Sequence, residues 1–95
     1  MGKPDHFTYN SLLKKISDFE QAKSIYQEIL KRFPFKKGDR KSENSYNYVF
    51  PTLFKKVRSL QDFWYVEAEM HRLGLRANHH TERAYRAAKR RVGAK

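Results

Sequence analysis

Two stretches of the chain carry the same pattern. Phe7-Thr8-Tyr9-Asn10-Ser11-Leu12-Leu13 and Asn44-Ser45-Tyr46-Asn47-Tyr48-Val49-Phe50 each place a hydroxyl residue, Tyr and Asn ahead of an apolar-periodic run. The motif tyrosines, Tyr9 and Tyr46, stand 37 residues apart. Self-similarity near that spacing is the signature of stacked helical hairpins. Each hairpin needs its neighbour to cover its apolar face, and the stack presents an extended binding surface rather than a reaction centre.

The periodicity predicts five helices. Tyr9, Leu12, Leu13 and Ile16 fall at helical spacing, so a first short helix runs over about 8–16. Ser17-Asp18-Phe19-Glu20 has the form of a capping box, with Ser17 as the cap. The second helix carries Ala22, Ile25, Tyr26, Ile29, Leu30 and Phe33, and Pro34 stops it. Residues 35–44 are polar and contain Gly38, so they read as a surface loop. The third helix is expected over about 45–58, with Pro51 either in a late first turn or at a kink. Ser59 caps the fourth, whose stripe is Phe63, Val66, Met70 and Leu73 with Trp64 adding bulk; Gly74 ends it, and Leu75 suits a Schellman contact. The fifth starts near Thr81, and its basic end and tail, Lys89-Arg90-Arg91 and Lys95, are expected to fray unless bound. No strand pattern competes. The expectation is an all-α fold of antiparallel helical hairpins forming a short α-solenoid. Residues 1–92 make one domain: repeat 1 over about 6–42, repeat 2 over about 43–78, a partial third over 79–92, and a basic tail at 93–95.

Charge narrows the partners. Lys+Arg number 21 against 10 Asp+Glu, for a net charge of +11 on 95 residues. That excess suits a polyanion. Seven Phe, six Tyr and one Trp are more aromatic residues than a disordered basic tail carries. There is no Cys, so disulfides and thiolate metal sites are excluded. No apolar run is long enough for a membrane helix, and the first residues have neither a signal core nor a myristoylation pattern. The four His have no zinc-site spacing, with His79 and His80 adjacent and expected to point apart. No nucleophile elbow or Gly-rich phosphate loop occurs. The chain therefore reads as a non-enzyme with no cofactor, no metal and no small-molecule substrate.

Three segments in order resemble the pentatricopeptide repeat family. Lys3-Pro4-Asp5-His6-Phe7-Thr8-Tyr9-Asn10-Ser11-Leu12-Leu13 is similar to that family's junction between repeats. Met70-His71-Arg72-Leu73-Gly74-Leu75-Arg76-Ala77-Asn78 is similar to its repeat ending, with Ala77-Asn78 in place of Pro-Asp, and Thr81 follows where the next repeat places its Thr. The resemblance covers nearly the whole chain as about two and a half repeats. The chain departs from the family in a short first hairpin, a long linker at 34–44, and Glu67 at an apolar position.

The resemblance implies single-stranded RNA binding in mitochondria or plastids, one base per repeat. It places base-reading residues at Asn10 and Asn47, with repeat-end partners at Ser42 and Asn78. Local hydrogen bonding by these polar first-turn residues is the alternative. Phosphate contacts are expected from Lys36, Lys37, Arg40 and Lys41 in the linker and from Arg83, Arg86, Lys89, Arg90 and Arg91 at the end. Tyr48 and Tyr65 fit the apolar stripes least, which makes them candidates for stacking on bases. With the organelle implied by the resemblance, small size and charge favour a structural protein of an organellar (mitochondrial) ribosome, packed on ribosomal RNA among neighbouring proteins. The alternatives are a free organellar RNA-processing or stability factor, and a protein–protein adaptor resembling tetratricopeptide repeats.

Overall fold

A computed structural model describes residues 6–94. Lys3, Pro4 and Asp5 of the junction motif, and Lys95 of the tail, lie outside them. Among the described residues there are five helices and no strand: α1 (His6–Lys15), α2 (Phe19–Arg32), α3 (Arg40–Lys56), α4 (Leu60–Leu73) and α5 (His79–Val92). The all-α expectation holds.

Three-residue connections turn α1 into α2 and α3 into α4, so each pair folds back on itself. α3 is the centre of the stack. It packs on α1 and α2, on α4, and most extensively on α5. The core is continuous through all five helices. Leu13 comes from α1; Phe19, Tyr26 and Ile29 from α2; Phe50, Leu53 and Phe54 from α3; Phe63 and Val66 from α4; and Ala84 and Ala88 from α5. Tilted and edge-on ring pairs such as Tyr26–Phe50 and Phe54–Tyr85 fill the seams. Two small residues on α5 let its backbone come close to α3. No helix among the described residues is long and apolar enough to cross a membrane.

Helix ends follow local chemistry, with corrections to the sequence reading. Asp18, not Ser17, caps α2: its carboxylate accepts from Gln21 N at 3.2 Å. The third helix starts at Arg40, inside the stretch read as loop and ahead of the expected repeat boundary. Asp39 caps it by accepting from Ser42 N at 2.9 Å. Glu43, one turn in, accepts from Gly38 N at 3.2 Å and from Arg76 N at 3.1 Å, so one carboxylate fastens the linker to the far turn. Gly38 takes φ +86° there, a conformation open to glycine at little cost. Ser59 and Gly74 act as read, the latter at φ 72° with the Leu75 amide returning to Met70 O. The fifth helix begins at His79 and stays helical through Val92, where fraying was expected; Gly93 closes it at φ 74°. Trp64, read as added core bulk, is 55% exposed.

Pro51 sits deep inside α3. It has no N–H for Asn47 O, its helical acceptor four residues back. The Thr81 hydroxyl of α5 lies 3.4 Å from that carbonyl. The next hydroxyl, Thr52 Oγ1, donates to Tyr48 O at 3.2 Å. Threonines thus stand at the carbonyls around the proline.

Candidate nucleic-acid interface

The first helices of the successive hairpins, α1, α3 and α5, share one side of the stack. Between them runs a groove of roughly 730 Å³. Lys14 edges it from α1, Lys55 from α3, and Arg83 and His80 from α5; its floor is Pro51, Thr52, Ala84 and Ala87. Tyr48 stands in it 67% exposed. No lining residue is acidic. Helical spacing puts Phe7, seven residues before Lys14 and 77% exposed, on the same side of α1. A planar ring set among cations on an acid-free wall can stack a base while the cations meet phosphate.

The base-reading residues expected by resemblance do other work. Asn47 is only 7% exposed. Its amide nitrogen donates to Glu43 O at 2.9 Å and to Arg76 O at 3.1 Å. Its amide oxygen accepts from Asn78 N at 3.0 Å and from Thr81 Oγ1 at 2.6 Å. A side-chain amide has two donors and two principal acceptor positions, and all four are used. Asn47 therefore bolts α3 to the turn before α5 and has nothing left for a base. Asn78 is brought beside it as the cap of α5, its side chain accepting from Thr81 N at 3.0 Å. Asn10 is half-buried, with its amide nitrogen 3.3 Å from His6 Nδ1. Ser42 lies in a separate depression, its hydroxyl accepting from Lys36 N at 2.8 Å.

The basic candidates divide. Lys36, Arg40 and Lys41 are exposed on the linker and the start of α3. Lys37 lies over Gly74: its ammonium would be 3.1 Å from a Cβ added there. That puts a cation at the carbonyl end of α4, where the helix dipole favours it. Arg83, Arg86 and Arg90 line a shallow basic hollow on α5 with His79 and Glu82. The Arg86–Glu82 pair is loose, at 3.9 Å. Arg91 lines the groove and also ties α5 to the end of α3. Its guanidinium donates to Phe54 O at 2.5 Å and to Val57 O at 2.9 and 3.1 Å, closing the end of α3. Lys56 does the same for α1, donating to Lys14 O at 3.1 Å, and its burial lowers its pKa. These two cations stand 35 residues apart and each holds the end of the preceding first helix.

Tyr65 is also corrected. It packs edge-on against Phe19 and Tyr26, accepts from Gln27 Nε2 at 3.2 Å, and carries the Lys23 ammonium 4.7 Å above its ring. Glu67, unexpected at an apolar position, accepts from the Tyr85 hydroxyl at 2.5 Å; that bond and burial push the phenol up to about 12. His79 and His80 do not point apart, since their ring centroids are 4.1 Å from each other.

Sequence reasoning missed Lys14 and Lys55 as groove cations. Their signal was helical spacing: Lys55 follows Tyr48 by seven residues, two turns along one face. No family model, no curated protein and no solved structure matches the chain.

Proposed function

We propose that the chain is an RNA-binding protein of helical-hairpin repeats, a structural component of a ribonucleoprotein, with the mitochondrial ribosome as its setting. The observation that carries the RNA reading is the exposed Tyr48 ring between Lys14, Lys55 and Arg83 in a groove without a carboxylate. Stacking on one ring is tolerant of base identity, and phosphate contacts carry no sequence code. With the amide of Asn47 fully engaged, the residue that the resemblance assigns to base reading in the second repeat has no group left for a base. That favours a protein fitted onto RNA within an assembly over a free, sequence-selective factor. The mitochondrial setting follows from the family resemblance alone.

The test is fluorescence anisotropy with short labelled single-stranded RNAs of several sequences across a salt series. Tyr48→Ala should weaken all of them alike, by roughly 1–3 kcal/mol for one lost stacking platform. Lys14→Gln, Lys55→Gln and Arg83→Gln together should flatten the log–log salt slope by about two units, at roughly 0.7 per contact. Unchanged affinity and slope would overturn the reading.

A further inference from the structure

A second surface lies away from the groove, along the seam of α4 and α5. Leu60, Trp64 and Glu67 fall at i, i+4 and i+7 on α4, so they share one stripe. The Glu67–Tyr85 hydrogen bond shows that this stripe borders α5. Leu60 is 38% and Trp64 55% exposed, which leaves an apolar ridge open at the seam. On the α5 side stands Lys89, its ammonium 5.8 Å over the Tyr85 ring, with Arg86 three residues before it on the neighbouring turn. Lys89 has no ion-pair partner among the described residues, and Arg86 has only its loose one.

We propose that this seam docks an amphipathic α-helix of a partner protein, its apolar stripe on Leu60 and Trp64 and an acidic edge on Arg86 and Lys89. The architecture supplies the shape. The equivalent earlier seam is that of α2 and α3, and α4 lies on it: α4 packs on α3, and its Glu69 and Tyr65 take hydrogen bonds from Tyr26 and Gln27 of α2. An i, i+4, i+7 ridge is the surface that helix-to-helix packing uses. Charge selects the occupant. Two copies of a chain at +11 repel, so a second copy is disfavoured. Leu60 is aliphatic and offers no face for stacking, so the ridge suits an apolar helix stripe rather than a base. An acidic edge meets the cations instead, and charge complementarity of this kind fixes partner and orientation.

The probe is a labelled peptide of about 18 residues, long enough to form a helix, with Leu on one stripe and Glu along one edge. Controls are a scrambled peptide of the same composition and one with Lys for Glu. The first peptide should bind saturably and shift the emission of Trp64, the chain's one tryptophan, to the blue; both controls should bind at least tenfold more weakly. Leu60→Glu should cost at least tenfold with the helical circular dichroism unchanged, because Leu60 is an exposed first-turn residue where an acid suits the helix. Lys89→Glu should invert the preference between the Glu and Lys peptides. Equal binding of the scrambled peptide overturns the proposal, as does indifference to Leu60→Glu. So does a concentration-dependent dimer abolished by Leu60→Glu, which assigns the seam to a second copy. So does RNA binding lost in Leu60→Glu, which assigns it to nucleic acid.

Discussion

Asn47→Ala separates a structural amide from a base-reading one. The substitution removes four hydrogen bonds at once. The partners at Arg76 and Asn78 belong to exposed residues, where water can replace part of what is lost. Thr81 is different. It is fully buried, and it loses its 2.6 Å acceptor while keeping only the 3.4 Å approach to Asn47 O. A buried polar group left without a partner costs about 1–3 kcal/mol, and each ordinary hydrogen bond contributes about 0.5–1.5 net. The sum is a destabilisation of about 2–4 kcal/mol. For a domain of this size that lowers Tm by on the order of 10–25 °C. Urea unfolding followed by circular dichroism measures it. Thr81→Val completes a double-mutant cycle, and the two losses should be strongly non-additive because they share one bond. Below the melting temperature, Asn47→Ala should leave the ranking of RNA sequences unchanged. A loss under about 0.5 kcal/mol with an altered ranking would refute the structural role and restore Asn47 as a base contact.

Leu13 and Ile29 are both fully buried in the first hairpin, so either one changed to Ala should cost about 2–5 kcal/mol in urea unfolding; negligible loss at both would contradict the core described here. Pro51→Ala restores an N–H facing Asn47 O inside α3, and relief of an interior proline, worth up to about 3 kcal/mol, should raise the urea midpoint; a fall would mean that α3 needs the shape proline imposes. Glu69 accepts two hydrogen bonds from Arg72, at 2.7 and 3.0 Å, and one from Tyr26 at 2.8 Å. The Arg72 bonds lead in holding its carboxyl below the ordinary value of 4.5. A carboxylate depressed in the folded state adds stability that is present above that value and fades as pH falls toward the folded pKa. The urea midpoint should therefore drop below about pH 4.5 more steeply in the natural chain than in Glu69→Gln, and identical acid limbs would show the network to be inert.

Much of the fold was legible because helices advertise themselves through apolar period and end chemistry. The stripes of α2 and α4, the Ser59 cap and the Gly74 stop each rest on neighbours within one or two turns. The start of α3 was not legible. Residues 40–43 hold no apolar side chain, and what makes them helical is the Asp39 cap together with Glu43 reaching the Gly38 and Arg76 amides. The candidate site was only partly legible. Tyr48 stood out by lying off the stripes, and it is the ring that the groove exposes. Asn47, Asn78, Tyr65 and Arg91 each looked available in sequence and are engaged in the structure. A polar residue one helical face away from the core is free or committed according to what the next helix brings alongside. One local clue existed for Asn47: a proline four residues later leaves its carbonyl without a helical donor.

By itself the sequence determined five helices and a surplus of positive charge, because these follow from local spacing and composition. The close approach of α3 and α5 was decided only in three dimensions. There Ala84 and Ala88 admit the backbone, Thr81 lies against the carbonyl opened by Pro51, and Arg91 closes the end of α3. That approach turns Asn47 inward and leaves Tyr48, its neighbour in the chain, facing the groove. Which of two adjacent polar residues meets a ligand depends on the rotation of one helix against another, and only packing sets that rotation.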